Sequence, residues 1–182
     1  MKPDIIFPVN TPISQPFGVN KEFYSNPIYG GVKGHPGVDF FAQHGTPIYA
    51  THDGRAEYQI DAGGGHGVVI TSEDRTFKTI YWHMVDSSKD TQYKSPVEGK
   101  NYLDVECGDL VGYADNTGAS TGNHLHYSLK FCKDGMTLNI DNGYLGNINP
   151  VPFFNGTTPQ VFNLLRQKLS LLQQLINLLL GK

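Results

Sequence analysis

The sequence predicts an all-β domain, mainly antiparallel β-sheet with a groove across one sheet, followed by one C-terminal α-helix. Its 182 residues include 21 Gly, 11 Pro, 10 Phe and 10 Tyr, a composition that suits many short strands and turns. Apolar runs at 68–71 and 77–85 flank a short polar turn, a pattern typical of a β-hairpin. Beyond residue 156 the apolar spacing becomes helical. We therefore assign 1–156 to the β domain and 157–182 to the helix.

Within the β domain, turn residues divide the chain into short segments. Residues 1–33 are predicted to be an irregular lead-in, and two strands, 48–51 and 55–60, lie either side of an Asp-Gly turn. The polar stretch 86–106 is interpreted as an inserted surface loop. Its Tyr93 and Tyr102 would suit contact with a groove, although a solvated loop is the simpler interpretation.

Charge and cysteine content limit the classes of function. The net charge of −3 provides no basic surface for nucleic acid, so we expect no nucleic-acid partner. Cys107 and Cys132 have no C-x-x-C partners, and two ordinary core thiols are a simpler interpretation than a disulfide. The N-terminal residues lack the apolar region of a secretory leader.

The C-terminal segment predicts an amphipathic helix at about 159–180. Thr158 is a suitable N-cap before Pro159, and Gly181 is a suitable stop. Apolar residues recur at alternating spacings of three and four, namely Phe162, Leu165, Leu169, Leu172, Ile176 and Leu179. Polar residues interrupt the apolar run, which argues against a transmembrane segment. Such a face predicts docking on its own domain or self-association with another copy.

The stretch 117–131, TGASTGNHLHYSLKF, contains the first candidate functional residues. On an extended chain His124, His126 and Ser128 share one face, and the apolar residues between them share the other. Two imidazoles would then enter a cleft while the apolar side chains enter the core. This spacing is typical of a metal site that needs further ligands.

The stretch 34–41, GHPGVDFF, provides those ligands. His35 and Asp39 are four residues apart, so on a strand they would also face one way. Two imidazoles and one carboxylate leave a fourth position for water, which is the arrangement of a catalytic zinc site.

These motifs resemble those of the lysostaphin/LytM-type zinc endopeptidases of bacterial peptidoglycan. The resemblance rests on the H-x-x-x-D of 35–39, the glycine turn GGGHGVVI at 63–70, TIYWHM at 79–84 and the H-x-H of 124–126. These blocks occur in the family's order between about residues 7 and 152, whereas each short motif alone would be weak. The resemblance implies hydrolysis of peptide bonds in peptidoglycan stems or cross-bridges.

The resemblance also implies a role for each site residue. It makes His35, Asp39 and His126 the ligands of one Zn²⁺ per chain and His124 the general base. His83 would orient water or stabilise the developing oxyanion. No H-E-x-x-H motif is present, so proton transfer falls to imidazole.

Three further residues are predicted to contact substrate: Tyr81, Asn123 and His66. Tyr81 is assigned to the face of His83 by strand alternation, and His66 lies in the glycine loop. Asn123 stands where the family commonly has proline, and it still tolerates a turn into the strand.

Two rival functions belong to other classes. A catalytically inactive LytM-type module would bind the wall or activate an amidase, but such modules have lost metal ligands, and all five positions are intact here. A virion component or endolysin is compatible with the absent leader and the helical tail. In every case we expect action at the cell wall, outside the cytoplasm or delivered by a virion.

Overall fold

The computed structural model describes residues 2–27 and 31–180, and it confirms the predicted β domain with one long C-terminal helix. The strands of the large sheet are β1 (Ile13–Gln15), β2 (Val38–Phe41), β4 (Gly54–Asp61), β5 (Gly65–Ser72), β6 (Phe77–Met84), β7 (Leu103–Val105) and β9 (His124–Lys133). Their order in the sheet is β1-β2-β9-β6-β5-β4-β7, and every neighbouring pair is antiparallel. Short strands β10 (Met136–Thr137) and β11 (Asn147–Ile148) pair with β9.

A second sheet of two strands, β3 (Pro47–Tyr49) and β8 (Leu110–Tyr113), contributes to the same core. Strand alternation sends Tyr81 of β6 and Tyr127 of β9 into that core, where both are fully buried. A hydrogen-bonded chain of hydroxyls joins them through Thr51, whose Oγ1 lies 2.9 Å from each phenol oxygen. One face of the large sheet is thereby filled, and the opposite face is left for the groove.

The hairpin of β5 and β6 is confirmed, but the lead-in and the inserted loop are more ordered than expected. The lead-in contains β1 and a short helix, α1 (Lys21–Ser25), and it buries Ile5 and Val9 in the core. The inserted loop contributes β7 and the fully buried Val97. Its two tyrosines pack elsewhere than in the groove: Tyr93 contacts His44, and Tyr102 stacks on Arg55. The interpretation of this segment as a solvated loop holds only in part, because Val97 and β7 join the core and the sheet while Tyr102 and much of the rest are exposed.

The helix α2 (Pro159–Leu179) begins as predicted, with the Thr158 hydroxyl accepting a hydrogen bond from the Val161 amide. Its predicted stop, Gly181, lies outside the described residues. The start of the helix contacts the domain: Asn163 donates to the Gly108 carbonyl, and Arg166 pairs with Glu106 and Asp109. The expected docking of its leucine face on the domain is wrong for the described chain, because those leucines are exposed. No helix of the described chain has the length and apolar content needed to cross a bilayer.

Candidate metal centre and groove

Three side chains from two distant segments converge on one point at the floor of a groove. His35 Nε2 lies 3.0 Å from Asp39 Oδ1 and 2.9 Å from His126 Nδ1, and that nitrogen lies 3.0 Å from Asp39 Oδ1. All three residues are buried. In the part of the chain that the structure describes, this is the group of His, Cys, Asp and Glu side chains with the spacing of a metal site.

Sheet register places two of the three. Asp39 on β2 stands directly opposite His126 on β9, so both side chains project from the same face. His35 does not lie on a strand, since β2 begins at Val38. The inference that even spacing along a strand aligns His35 with Asp39 is therefore wrong. Instead the His35 backbone pairs with the lead-in, where its amide donates to the Val19 carbonyl.

Gly37 lets this loop pass close to the metal ligand on β9. A Cβ atom at this position would lie 2.7 Å from His126 Nε2 and 2.5 Å from the Tyr127 carbonyl oxygen. Neither neighbour can move without displacing the ligand or the strand. The glycine in H-P-G-V-D therefore has a steric reason: only a residue without a side chain lets His35 and Asp39 approach His126 together.

Each of the two imidazoles also forms a hydrogen bond on the side that faces away from the cluster. These hydrogen bonds favour the binding of a cation by the cluster. His35 Nδ1 donates to the Pro16 carbonyl at 3.0 Å, so in the neutral ring Nε2 carries the lone pair. His126 Nε2 lies 2.8 Å from the Ser128 hydroxyl, which can accept its proton and leave the lone pair on Nδ1. Two lone pairs and a carboxylate then point at one another, and a divalent ion relieves their repulsion. This donor set, two imidazoles and one carboxylate, suits zinc.

The electrostatics of the cluster favour the ligand forms of its members. Burial alone would raise the pKa of Asp39, but the hydrogen bonds and charges of His126 and His35 hold it well below its usual value. Burial lowers the pKa of His126. The cluster therefore holds an ionised carboxylate beside a neutral imidazole, which are the protonation states that bind a metal.

Two further histidines border the cluster. His124 Nδ1 donates to the Gly122 carbonyl at 2.8 Å, and its Nε2 lies 3.6 Å from Asp39 Oδ1. His83 Nδ1 donates to the Thr117 carbonyl at 2.7 Å, and its ring centroid lies 4.6 Å from that of His124. Burial lowers the pKa of His83 to about 4. Both rings thus have Nδ1 occupied and Nε2 available to the groove.

A distortion at the end of β6 brings His83 to this position. Its φ angle is +63°, a left-handed conformation that is uncommon for a residue with a side chain, and the β5–β6 register shifts beside it. Regular alternation stops there, so His83 and Tyr81 do not share a face. Tyr81 faces the core, and its predicted contact with substrate is wrong. Trp82, opposite His126 in the register, faces the groove instead.

The groove has a volume of about 630 Å³ and contains His83, His124, His126 and Asp39 along its floor. Sequence reasoning missed most of its other lining residues, which are Gln15, Asn20, Phe23, Tyr24, Pro27, Pro36, Asp61, Gly63, Gly64, Ile80, Trp82, Ala119, Ser120, Thr121, Ser128, Lys130, Leu145 and Asn147. No glutamate is among them in the described chain. The glycine loop borders the groove because Trp82 packs over Gly64 and Gly67, where a Cβ would lie 2.2 Å from the indole ring.

The other two predicted substrate contacts lie outside this lining. Asn123 is exposed beside the groove, and His66 is engaged elsewhere. Its Nδ1 lies 2.7 Å from the Tyr58 hydroxyl, and its Nε2 lies 3.5 Å from an Asp86 oxygen. The structure therefore brings five predicted residues together and leaves the three predicted substrate contacts apart from them. Both cysteines are free, in line with their interpretation as ordinary thiols.

Comparison with known proteins supports the same family as the motifs. The sequence profile of Peptidase family M23 matches residues 33–140, more than half of the chain. An uncharacterized metalloprotease of Haemophilus influenzae is 35% identical over 128 residues, which are 70% of this chain and 24% of that protein. The DD-carboxypeptidase/endopeptidase Mpg of Neisseria meningitidis is 33% identical over 131 residues, covering 72% of this chain and 26% of that protein. The chain thus spans about a quarter of the length of these relatives.

Solved structures show the same architecture. A zinc-containing peptidase from Vibrio cholerae superposes with a TM-score of 0.54 at 25% identity, covering 75% of this chain and 39% of that one. That neighbour contains zinc, in agreement with the assignment of zinc to the His–Asp–His cluster of this chain. On the profile match, the sequence identities and the shared fold, this chain belongs to peptidase family M23.

Proposed function

We propose that this chain is a zinc-dependent endopeptidase that hydrolyses peptide bonds in bacterial peptidoglycan, in stems or cross-bridges. The observation that carries this proposal is the His35–Asp39–His126 cluster on the floor of an open groove, flanked by two histidines whose Nδ1 atoms are hydrogen-bonded to backbone carbonyls. The name of the Neisseria relative, a DD-carboxypeptidase/endopeptidase, supports a substrate of this class.

In this proposal the three-residue cluster holds the metal. Zinc, when bound, supplies a Lewis acid that polarises a substrate carbonyl and makes water more acidic. The Pro16 carbonyl and the Ser128 hydroxyl fix the orientation of the two imidazole ligands. The groove walls hold the peptide and limit access of bulk water to the scissile bond.

His124 acts as the general base. Its Nδ1 proton is held by the Gly122 carbonyl, so its Nε2 lone pair faces the cluster and accepts a proton from the attacking water. The same nitrogen can then return the proton to the leaving amine.

His83 assists from beside His124. Because the Thr117 carbonyl accepts its Nδ1 proton, the neutral ring offers Nε2 as a hydrogen-bond acceptor. This tautomer favours orientation of the attacking water over stabilisation of an oxyanion, which requires a donor. The strained backbone of His83 is the cost of aiming that nitrogen into the groove.

Digestion of purified cell walls tests the activity. Mass spectrometry of the released fragments should show new amino and carboxyl termini with the zinc-loaded protein, none after chelation, and recovery on zinc re-addition. The identity of the new termini distinguishes a Gly-Gly bond from a D-alanyl-diaminopimelate bond. Wall binding without any release at pH values from about 5 to 9 would refute the proposal and support the inactive binding module.

We also propose that the chain acts at the cell wall, since that is where its proposed substrate lies. Delivery by export and delivery by a virion both bring it there. Immunodetection of the protein in fractionated cells and in purified virions would distinguish these routes, and a strictly cytoplasmic protein would contradict both.

Self-association through α2 is a further part of this proposal. Its seam residues Leu165, Leu169, Leu172 and Leu179 are more than half exposed and follow the alternating three and four spacing of a coiled coil. Together with the flanking leucines they would bury on the order of 800 Å² per chain, the size of one side of a specific interface. In a parallel pair Lys168 would face Gln173 of the other copy, so no like charges meet.

Light scattering during gel filtration tests this. The wild-type protein should elute as a dimer or larger assembly, and Leu172→Glu should be monomeric. Gln174→Glu, on the outer face of the helix and away from the seam, is the matched control and should keep the assembly. A monomeric wild-type protein at micromolar concentration would contradict self-association.

A further inference from the structure

The groove continues from the metal cluster to Lys130, and Lys78 stands beside Lys130 on the neighbouring strand. On β9 the side chains of His126, Ser128 and Lys130 alternate onto the groove face, and their register partners on β6 are Trp82, Ile80 and Lys78. Lys130 and Lys78 therefore stand directly opposite each other on the same face. Lys130 lies four positions along the strand from His126, a distance of roughly 13 Å between their Cα atoms.

This lysine pair has no internal counter-charge. Neither Lys78 nor Lys130 forms a salt bridge within the described chain, and like charges directly opposite on a sheet destabilise it. Burial and the charge of Lys78 lower the pKa of Lys130, in keeping with an ammonium group that lacks an anionic partner. An anion at this end of the groove would relieve the repulsion.

A buried amide beside the pair also lacks a partner. Asn147 on β11 stands opposite Lys130, lines the groove and is only 6% exposed. Its Nδ2 donates to the Tyr144 carbonyl at 2.8 Å, but its Oδ1 is buried without a hydrogen bond. Unpaired buried acceptors are rare in folded proteins, and this one can be satisfied by an N–H group entering the groove.

We propose that Lys130, Lys78 and Asn147 form a subsite for a carboxylate-bearing residue of the peptide substrate. The lysines bind the carboxylate, and Asn147 Oδ1 accepts a hydrogen bond from a peptide N–H. An extended peptide advances about 3.3 Å per residue, so this residue lies about three to four positions from the scissile bond. The inference rests on the proposed function, and it selects stem peptides, which carry carboxylates, over uncharged oligoglycine bridges.

The single tryptophan of the chain provides a direct measure of binding. Trp82 lines the same groove, so its fluorescence should report peptide binding without any need for cleavage. The probes are two synthetic pentapeptides with amidated C-termini that differ only in one residue, D-glutamate or D-glutamine. We expect the wild-type protein to bind the glutamate peptide about tenfold more tightly, because charge-assisted hydrogen bonds are stronger than neutral ones.

Lys130→Gln should abolish this preference, and Asn147→Asp, which places a carboxylate beside the lysines, should weaken binding of the glutamate peptide. Lys133→Gln is the matched control, an exposed lysine on the same strand, and it should keep the wild-type preference. The preference should also shrink as salt is added, because salt screens the charges.

Equal binding of the two peptides by the wild-type protein, or no binding of either, would overturn the subsite. Retention of the preference in Lys130→Gln would overturn it as well. Carboxylate-dependent binding without wall hydrolysis would support the subsite and refute the proposed peptidase. Zinc-dependent hydrolysis without any carboxylate preference would refute the subsite and support the proposed peptidase.

Discussion

The hydroxyl of Thr117 links the glycine loop to the strand that carries His83, which makes Thr117→Val an informative substitution. Its Oγ1 donates to the Met84 carbonyl at 2.7 Å and accepts from the His66 amide at 3.1 Å. Its backbone carbonyl accepts the Nδ1 proton of His83. The valine variant keeps the shape but removes both hydroxyl hydrogen bonds, so a backbone carbonyl and a backbone amide lose their partners.

The expected loss of stability follows from these two bonds. At about 1 kcal/mol each, Thr117→Val should lower the free energy of unfolding by about 2 kcal/mol, since the half-buried site lets water reach the freed groups in part. For a chain of this length the melting temperature should fall by about 4–8 °C. Because the carbonyl that orients His83 moves with this residue, kcat should fall by about tenfold or more.

Thermal unfolding and wall hydrolysis measure the two effects, with zinc content as a third readout. Thr117→Ser keeps the hydroxyl and should restore both stability and kcat, and zinc should remain near one per chain in both variants. A melting temperature within about 1 °C of wild type for Thr117→Val would contradict the hydrogen-bond account. Equal losses in the serine and valine variants would also contradict it, because serine keeps the hydroxyl that makes both bonds.

Two further predictions concern other histidines. His124→Ala should abolish hydrolysis while the zinc content stays near one per chain, because the Nε2 atom of His124 lies beside the cluster and not in it. Atomic emission measures the zinc content, and loss of zinc in this variant would make His124 a ligand. Burial lowers the pKa of His52 to about 4. Between about pH 6.5 and 4 the unfolded state therefore binds a proton that the folded state does not bind. The free energy of unfolding should fall by about 3 kcal/mol as the pH drops through that range. Urea unfolding of wild type and His52→Gln should therefore show a shallower pH dependence in the variant, and parallel curves would contradict this.

Same-face spacing predicted part of the site from the sequence. The i, i+2 pair of His124 and His126 lies on a real strand, so both imidazoles reach the groove face as expected. The pairing of Asp39 with His126 could not be read from spacing, because register between strands far apart in sequence depends on the whole sheet. His35 reaches the cluster from a loop, and the alternation of side chains along a strand does not apply to a loop.

The errors lie where a local irregularity overrides alternation. The left-handed φ of His83 turns that residue to the groove and leaves Tyr81 in the core, so a regular pattern assigns Tyr81 wrongly. Lys130 lies four positions after His126 on the same strand, so the sequence alone was enough to place both side chains on one face. Its partner Lys78 and the buried Asn147 needed the register of three strands.

X-ray absorption at the zinc edge of the loaded protein tests the central claim most directly. The proposed cluster predicts two imidazole ligands, one carboxylate oxygen and one further light ligand from solvent, and Asp39→Asn should change that environment or lose the metal. A shell with sulfur, a third imidazole, or four protein ligands would contradict a site made of His35, Asp39 and His126 with one position open to water.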